Sequence, residues 1–317
     1  MVTLNEIREA QKNLPEAIVR TPLLLSNDLS KESGASVYLK TENLQITGSY
    51  KSRAAFTILD SLSPAQKQKG AAISSSGNFA SAFAFMGRLL GIPTTVVMME
   101  KTAPFKIEKT ERYGAEVVLC ENRFEARWET LAKLEKEHGL TTINTFESPQ
   151  VIAGHGTIGL EIMEDLPEAD IILVPISSGG LLAGVATAVK EINPTAKMVG
   201  VQPEGSNAMY LSFKKGALQT IDHVDTICDA LVATRPGALP FEHVQKYVDD
   251  VVLVPDVWIQ KAVALLFEAA KLVVEPSGAV GIAALVGGKV SVKGKKVIAL
   301  LSGGNVSKER FVKFLHG

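Results

Sequence analysis

Cysteine is scarce. Cys120 and Cys228 are the two in 317 residues, and they form neither a CxxC pair nor a metal-ligand spacing. That excludes a disulfide scaffold and suits a reducing compartment. Net charge is almost absent as well. Thirty-three Lys and Arg stand against 34 Asp and Glu, a balance of −1, so no net field draws the chain to nucleic acid or to an anionic membrane. No apolar run approaches the roughly 18 residues that span a bilayer. The first twenty residues, MVTLNEIREAQKNLPEAIVR, are charged throughout and lack the apolar core of a secretory signal. His138, His155, His223, His243 and His316 form no HExxH and no cluster. Gly288-Lys289 is followed by Val290, so there is no Walker A loop, and no GxSxG nucleophile elbow occurs. These absences leave a cytoplasmic globular chain as the expectation. Its 46% apolar and 21% charged residues are ordinary, and its length suits one large or two ordinary domains.

What is present is a βαβα rhythm. Short Val/Ile/Leu-rich runs predict strands at 71–75, 94–99, 116–120, 141–144, 171–176, 198–202, 251–255 and 296–301. Helical patterns fall between them, at 79–90, 105–113, 124–138, 151–165, 181–192 and 257–272, with another at 5–17. Continuous apolar strands alternating with helices argue for an α/β fold of parallel sheets with helices on both faces. The segment from Thr21-Pro22 onward reads as irregular. There is no repeat and no low-complexity linker, and the pattern alone suggests a division near Pro149.

Strand or helix ends run into turns rich in Gly, Ser or Asn at Ser74–Asn78 (SSSGN), Ser177–Leu181 (SSGGL), Glu275–Ala279 (EPSGA) and Leu301–Asn305 (LSGGN). Ligands of doubly wound sheets bind at the carboxyl ends of strands, where such turns lie. In DIILVPISSGGLLAGVATAVKEI a strand ends at Ile176, four small residues follow, and a helix begins near Leu181. Free backbone N–H groups without bulky side chains form an anion site there, and phosphate is its natural guest. An ordinary tight βα turn is the plainer reading of any one such loop. A literal GxGxxG at Gly154–Gly159 lacks a preceding strand and a following acid, which a dinucleotide fingerprint requires.

Residues 38–55 read YLKTENLQITGSYKSRAA. A Gly-Ser pair precedes Tyr50-Lys51, and a helix is expected over 52–59. A lysine at the positive end of a helix dipole is biased toward its neutral, nucleophilic form. A neutral amine beside a phosphate cradle is what a pyridoxal-phosphate Schiff base needs.

Taken together, these pieces resemble the fold-type II pyridoxal-phosphate enzymes, specifically the threonine/serine dehydratase and serine racemase group. The resemblance runs nearly the whole chain: K-x-E-x-x-Q from Lys40, G-S-Y-K-x-R from Gly48, S-S-G-N at 75–78, VIAGxGTIGLE at 151–161, the turn after Val174-Pro175 followed by LLAG, LVVEPSGA at 272–279 and LSGGN at 301–305. It implies a two-domain, tryptophan synthase β-like architecture, with a small domain at 70–147 set into a large one made of 1–69 and 148–317. It also implies pyridoxal 5'-phosphate as cofactor, an amino-acid substrate and a homodimer.

The implied roles follow residue by residue. Lys51 would hold the cofactor as a Schiff base and then act on the substrate Cα–H. Tyr50 would flank the ring, and Asn78 would bond the ring hydroxyl. Ser177, Ser178, Gly179, Gly180 and Leu181 would cradle the phosphate, and Ser302 would face the pyridine nitrogen. Ser75, Ser76, Gly77 and Asn78 would receive the substrate carboxylate. Ser76 also stands where racemases of the group deliver a proton to the opposite face. A hydroxyl at the ring nitrogen makes a weaker electron sink than a carboxylate would, so a leaving group at Cβ can trap the carbanion by elimination.

Departures from the family pattern fall at Phe79, in place of a His, and His155, in place of a Gln. Both put substrate range in question. The divalent-metal positions of serine racemases are Gln202 and Ala208 here, which offer no carboxylate. The chain ends soon after its last motif, leaving no room for a C-terminal regulatory domain. The expected activity is therefore elimination from a β-hydroxy amino acid, threonine or serine by default. Serine racemisation and a bulkier aryl-serine or hydroxyaspartate substrate are alternatives. A nicotinamide-binding or non-catalytic protein built on Gly154–Gly159 is the reading from another class.

Overall fold

The computed structural model describes residues 1–315, apart from the side chain of Phe124; His316 lies outside them. Among the described residues, ten strands form two sheets. Four of them, β3 (Ala71–Ser74), β4 (Thr94–Met99), β5 (Glu116–Cys120) and β6 (Thr141–Thr142), make an all-parallel sheet in the order β5-β4-β3-β6. The other six are β1 (Leu23–Leu25), β2 (Ser36–Lys40), β7 (Ile171–Pro175), β8 (Lys197–Pro203), β9 (Asp250–Val254) and β10 (Lys296–Leu300). Their order is β1-β2-β10-β7-β8-β9. β7, IILVP, is buried at every position, as a strand covered by helices on both faces must be.

Four expectations need correction. The segment after Thr21 is not irregular: it holds β1, a helix over Asn27–Ser33, and β2. β1 pairs antiparallel with β2, so the larger sheet is not parallel throughout. β1 is an edge strand with Leu24 and Leu25 exposed, so it has no two-sided apolar run to read. The first helix runs Leu4–Asn13 and stops well short of Ala17, because Leu14 precedes Pro15 and is pushed out of the helical region. The Glu275 motif opens a helix rather than a turn. Glu275 is the cap and Pro276, whose missing N–H costs nothing there, is the first residue of Pro276–Val286.

The topology positions the site. β2, β10 and β7 are neighbours and parallel. Their carboxyl ends therefore release the segments 41–50, 301–305 and 176–179 at the same edge of the sheet. Helix Pro149–Asp165 crosses close by. Its Gly154 and Gly159 are contact points: a Cβ at Gly154 would lie 2.7 Å from Ala54 Cα, and one at Gly159 would lie 2.8 Å from Ala188 Cβ. The GxGxxG string is thus the middle of a buried helix that needs close approach, and it has no phosphate-binding turn.

Candidate active site

Lys51 is the first residue of helix Lys51–Asp60. Just before it, the backbone is left-handed at Thr47 (φ 66°) and Gly48 (φ 78°). A β-branched residue in that region stores about 1–3 kcal/mol. Thr47 is held by its hydroxyl, 2.8 Å from Ser52 Oγ, and by Asn305 Nδ2, which donates to Thr47 O at 2.9 Å. The turn Leu301–Asn305 is strapped along the same segment: Tyr50 N donates to Ser302 O at 3.2 Å and Gly304 N to Gly48 O at 3.0 Å. Ser302 thereby comes beside the lysine.

The Lys51 amine lies 4.4 Å from the centroid of the Tyr50 ring and 5.5 Å from that of Phe79. Burial between them pushes its pKa down to about 7, against the opposing pull of the Glu275 carboxyl. Near neutral pH a large share of Lys51 is therefore an uncharged amine.

Ser177 and Ser178 follow β7, Gly179 is left-handed at φ 107°, and Gly180 opens helix Gly180–Ile192. A Cβ at Gly179 would meet Met209 Cε at 2.5 Å and Pro240 Cβ at 3.0 Å, so the turn needs glycine for both space and backbone. Ser178 O accepts from Gly237 N at 3.0 Å, which fixes the loop. The first N–H groups of the helix have no intrahelical acceptor, and the dipole adds positive potential. His155, in helix Pro149–Asp165, links this cradle to the lysine. Its ring lies 4.6 Å from that of Tyr50 at 54°, and a Cβ at Gly180 would be 3.8 Å from its Nδ1.

Ser75, Ser76 and Gly77 form the loop from β3 to helix Asn78–Leu90, with both serines partly buried and Gly77 exposed. From Asn78 a polar chain crosses the cleft. Asn78 Nδ2 donates to Glu275 Oε1 at 2.7 Å, Asn305 Nδ2 to Asn78 Oδ1 at 2.9 Å, and Lys109 Nζ to Asn305 Oδ1 at 2.7 Å. Glu275 and Asn305 enter the sequence reading through their motifs alone; the acid directly before Pro276 is the signal that marks the first of them. Burial, reinforced by Asp229, raises the Glu275 pKa to about 8. A carboxyl raised in the fold contributes stability below its unfolded value of 4.5 and loses it as pH climbs through 8. Glu275→Gln is therefore expected to match wild type near pH 4 and to exceed it by a few kcal/mol at pH 8, read by urea denaturation of cofactor-free protein. Equal stability at both pH values would contradict that account.

Among the described residues, no group of three or more His, Cys, Asp or Glu is placed to hold a metal. Gln202 is buried with its Oε1 accepting from Tyr210 N at 2.8 Å, and Ala208 opens a helix.

A family model for pyridoxal-phosphate dependent enzymes matches residues 14–303. The chain belongs to that family. It is 42% identical over 306 residues to an L-threonine ammonia-lyase of Thermotoga maritima, covering 96% of this chain and 76% of that protein. It is 40% identical to a catabolic L-threonine dehydratase of Escherichia coli K12, over 98% of this chain and 94% of the other. Among solved structures, maize serine racemase superposes with a TM-score of 0.94 at 34% identity, covering 99% of this chain and 97% of that one. The residues fit the family's cofactor: a lysine with a depressed pKa stands near a helix N-terminus whose turn leaves no room for a Cβ at Gly179.

Proposed function

We propose that the protein is a dehydratase (ammonia-lyase) that converts a β-hydroxy amino acid, threonine or serine first, to a 2-oxo acid and ammonia. The observation that carries this reading is Lys51, half-neutral near pH 7 and joined through Tyr50 and His155 to the cradle at Gly180. Pyridoxal phosphate, when bound, supplies the electron sink for negative charge developing at Cα. The N–H groups from Ser177 to Leu181 would hold its phosphate, Ser302 would serve its ring nitrogen, Asn78 its hydroxyl, and Tyr50 would flank the ring. Ser75, Ser76, Gly77 and Asn78 receive the substrate carboxylate. The Lys51 amine takes the Cα proton. The Cβ–O bond then breaks, and the oxygen leaves with a proton as water. The enamine takes up water and releases ammonia, so threonine gives 2-oxobutanoate plus ammonia. Phe79 and Tyr50 limit water around the amine. The nearness of the Phe79 ring favours a small side chain over an aryl-serine.

In this reading residues 70–147 form a small domain that closes on a large one made of 1–69 and 148–317, with substrate between them. Among the described residues no helix is long and apolar enough to cross a membrane. A cytoplasmic homodimer completes the proposal; light scattering should give twice the 33.9 kDa of the chain. Racemisation of serine is the second reading, favoured by a partly buried Ser76 hydroxyl in the loop that leads to Asn78. The deciding assay supplies L-threonine and L-serine, measures 2-oxo acid and ammonia, and follows D-serine by chiral chromatography. Equimolar keto acid and ammonia are expected. D-Serine without keto acid would replace the dehydratase reading by the racemase one.

A further inference from the structure

His155 is completely buried, yet neither Nδ1 nor Nε2 has a hydrogen-bond partner. Buried imidazole nitrogens are rarely left unmet, since each loses its bonds to water on folding. The ring is also rigidly placed. Its helix is closely packed on both sides of the ring: a Cβ added at Gly154 would lie 2.7 Å from Ala54 Cα, and one at Gly156 would lie 2.7 Å from Ile7 Cδ1. Tyr50 packs against the ring at 4.6 Å. Nδ1 lies 3.8 Å from where a Cβ on Gly180 would stand, and it makes no hydrogen bond there. The imidazole is neutral: burial and the nearby Lys51 charge both push its pKa well below 6.5. A neutral imidazole has one N–H to donate. That donor borders the first turn of helix Gly180–Ile192, the place where backbone N–H groups and the dipole already favour an anion.

We infer that His155 donates its ring N–H to the phosphate docked at the N-terminus of helix Gly180–Ile192, as a side-chain member of the cradle. This rests on the pyridoxal-phosphate reading of the site. The donor is uncharged, so it strengthens phosphate binding without placing a second cation beside Lys51. In a water-poor pocket, a hydrogen bond to a charged oxygen is stronger than one between neutral groups.

The test compares two ligands of cofactor-free protein, pyridoxal 5'-phosphate and pyridoxal, which differ by the phosphate alone. Dissociation constants come from the visible absorbance of the lysine-bound form. Wild type is expected to prefer the phosphorylated ligand strongly. His155→Leu and His155→Met, two independent apolar replacements, are expected to lose about 10- to 100-fold in affinity for pyridoxal 5'-phosphate and little for pyridoxal. His155→Gln, which keeps a donor, is expected to retain most of the preference. Equal losses for both ligands would mean that His155 only packs, and the inference would fall while the cofactor site stood. Unchanged affinity for both in the apolar variants would overturn it too. A wild type with no preference for the phosphorylated ligand would overturn the cradle and this inference together.

Discussion

Lys51→Ala is expected to remove the yellow absorbance of the bound cofactor and to lower turnover by about 10,000-fold or more. Lys51→Arg is expected to fare no better, because a guanidinium stays protonated and cannot act as nucleophile or base. Neither loss should come from unfolding. Burial makes the charged amine unfavourable in the fold, its pKa falling to about 7, so cofactor-free Lys51→Ala should be no less stable than wild type. The same value sets a pH dependence. Capture of pyridoxal phosphate by the cofactor-free protein needs the neutral amine, so its rate should climb about tenfold per pH unit below 7 and flatten above. An ordinary exposed lysine would keep gaining up to about 10.4. Stopped-flow absorbance between pH 5.5 and 9 reads the difference. An active Lys51→Ala would remove Lys51 from the proposed mechanism, and a capture rate still rising steeply at pH 9 would show that its amine keeps an ordinary pKa.

Much of this arrangement can be read from the chain, and the exceptions share a cause. From Ala71 onward, strands such as TTVVMM and IILVP are covered on both faces, so burial writes them into the sequence as apolar runs. β1 and β2 are stabilised differently. β1 is an exposed edge, and β2 gains its place from β10, which lies at the other end of the chain. No local pattern carries that information. The cradle at Ser177–Leu181 is legible because left-handed backbone and close approach demand glycine at 179 whatever surrounds it. Glu275 and His155 are not legible in the same way. A glutamate before a proline is an ordinary cap. It becomes a carboxyl with a pKa near 8 because the surrounding elements bury it and bring Asp229 close, which outweighs the opposing pull of Asn78, Lys106 and Lys109. His155 reads as a residue of an apolar helix, which it is; that its ring faces both Tyr50 and Gly180 is a fact of packing.

Arg53→Met is expected to cost about 3–5 kcal/mol at pH 7 and to reverse the pH dependence of stability. The lysine helix is anchored two residues past Lys51 by a buried charge cluster. Arg53 Nε and Nη2 donate to Glu42 at 3.0 and 2.8 Å, and Arg53 Nη1 donates to Glu161 at 2.6 Å. Lys40 Nζ donates to Glu161 and to Thr21 O, both at 2.6 Å. Arg53 and Lys40 are 0% exposed and the two glutamates nearly so, yet two positive charges meet two negative ones. The motif residues Lys40, Glu42, Arg53 and Glu161 thus hold the Lys51 helix against β2 and helix Pro149–Asp165. Burial alone would raise the Glu42 carboxyl; the Arg53 guanidinium, with Lys40 and Thr21, more than offsets it, and the net shift is down. A depressed carboxyl contributes stability that is present above its unfolded value of 4.5 and drains away as pH falls through its folded value. In wild type this group therefore favours neutral over acid conditions. Without Arg53 the burial cost is left standing, the Glu42 carboxyl rises, and its contribution changes sign: stability is regained as pH drops toward 5 and the buried acid takes a proton. Urea midpoints at pH 5 and 7 decide the matter. Wild-type stability at pH 7, or an unreversed slope, would show that the cluster is an incidental contact; the expected reversal would show that the family motif around Lys51 is an electrostatic anchor.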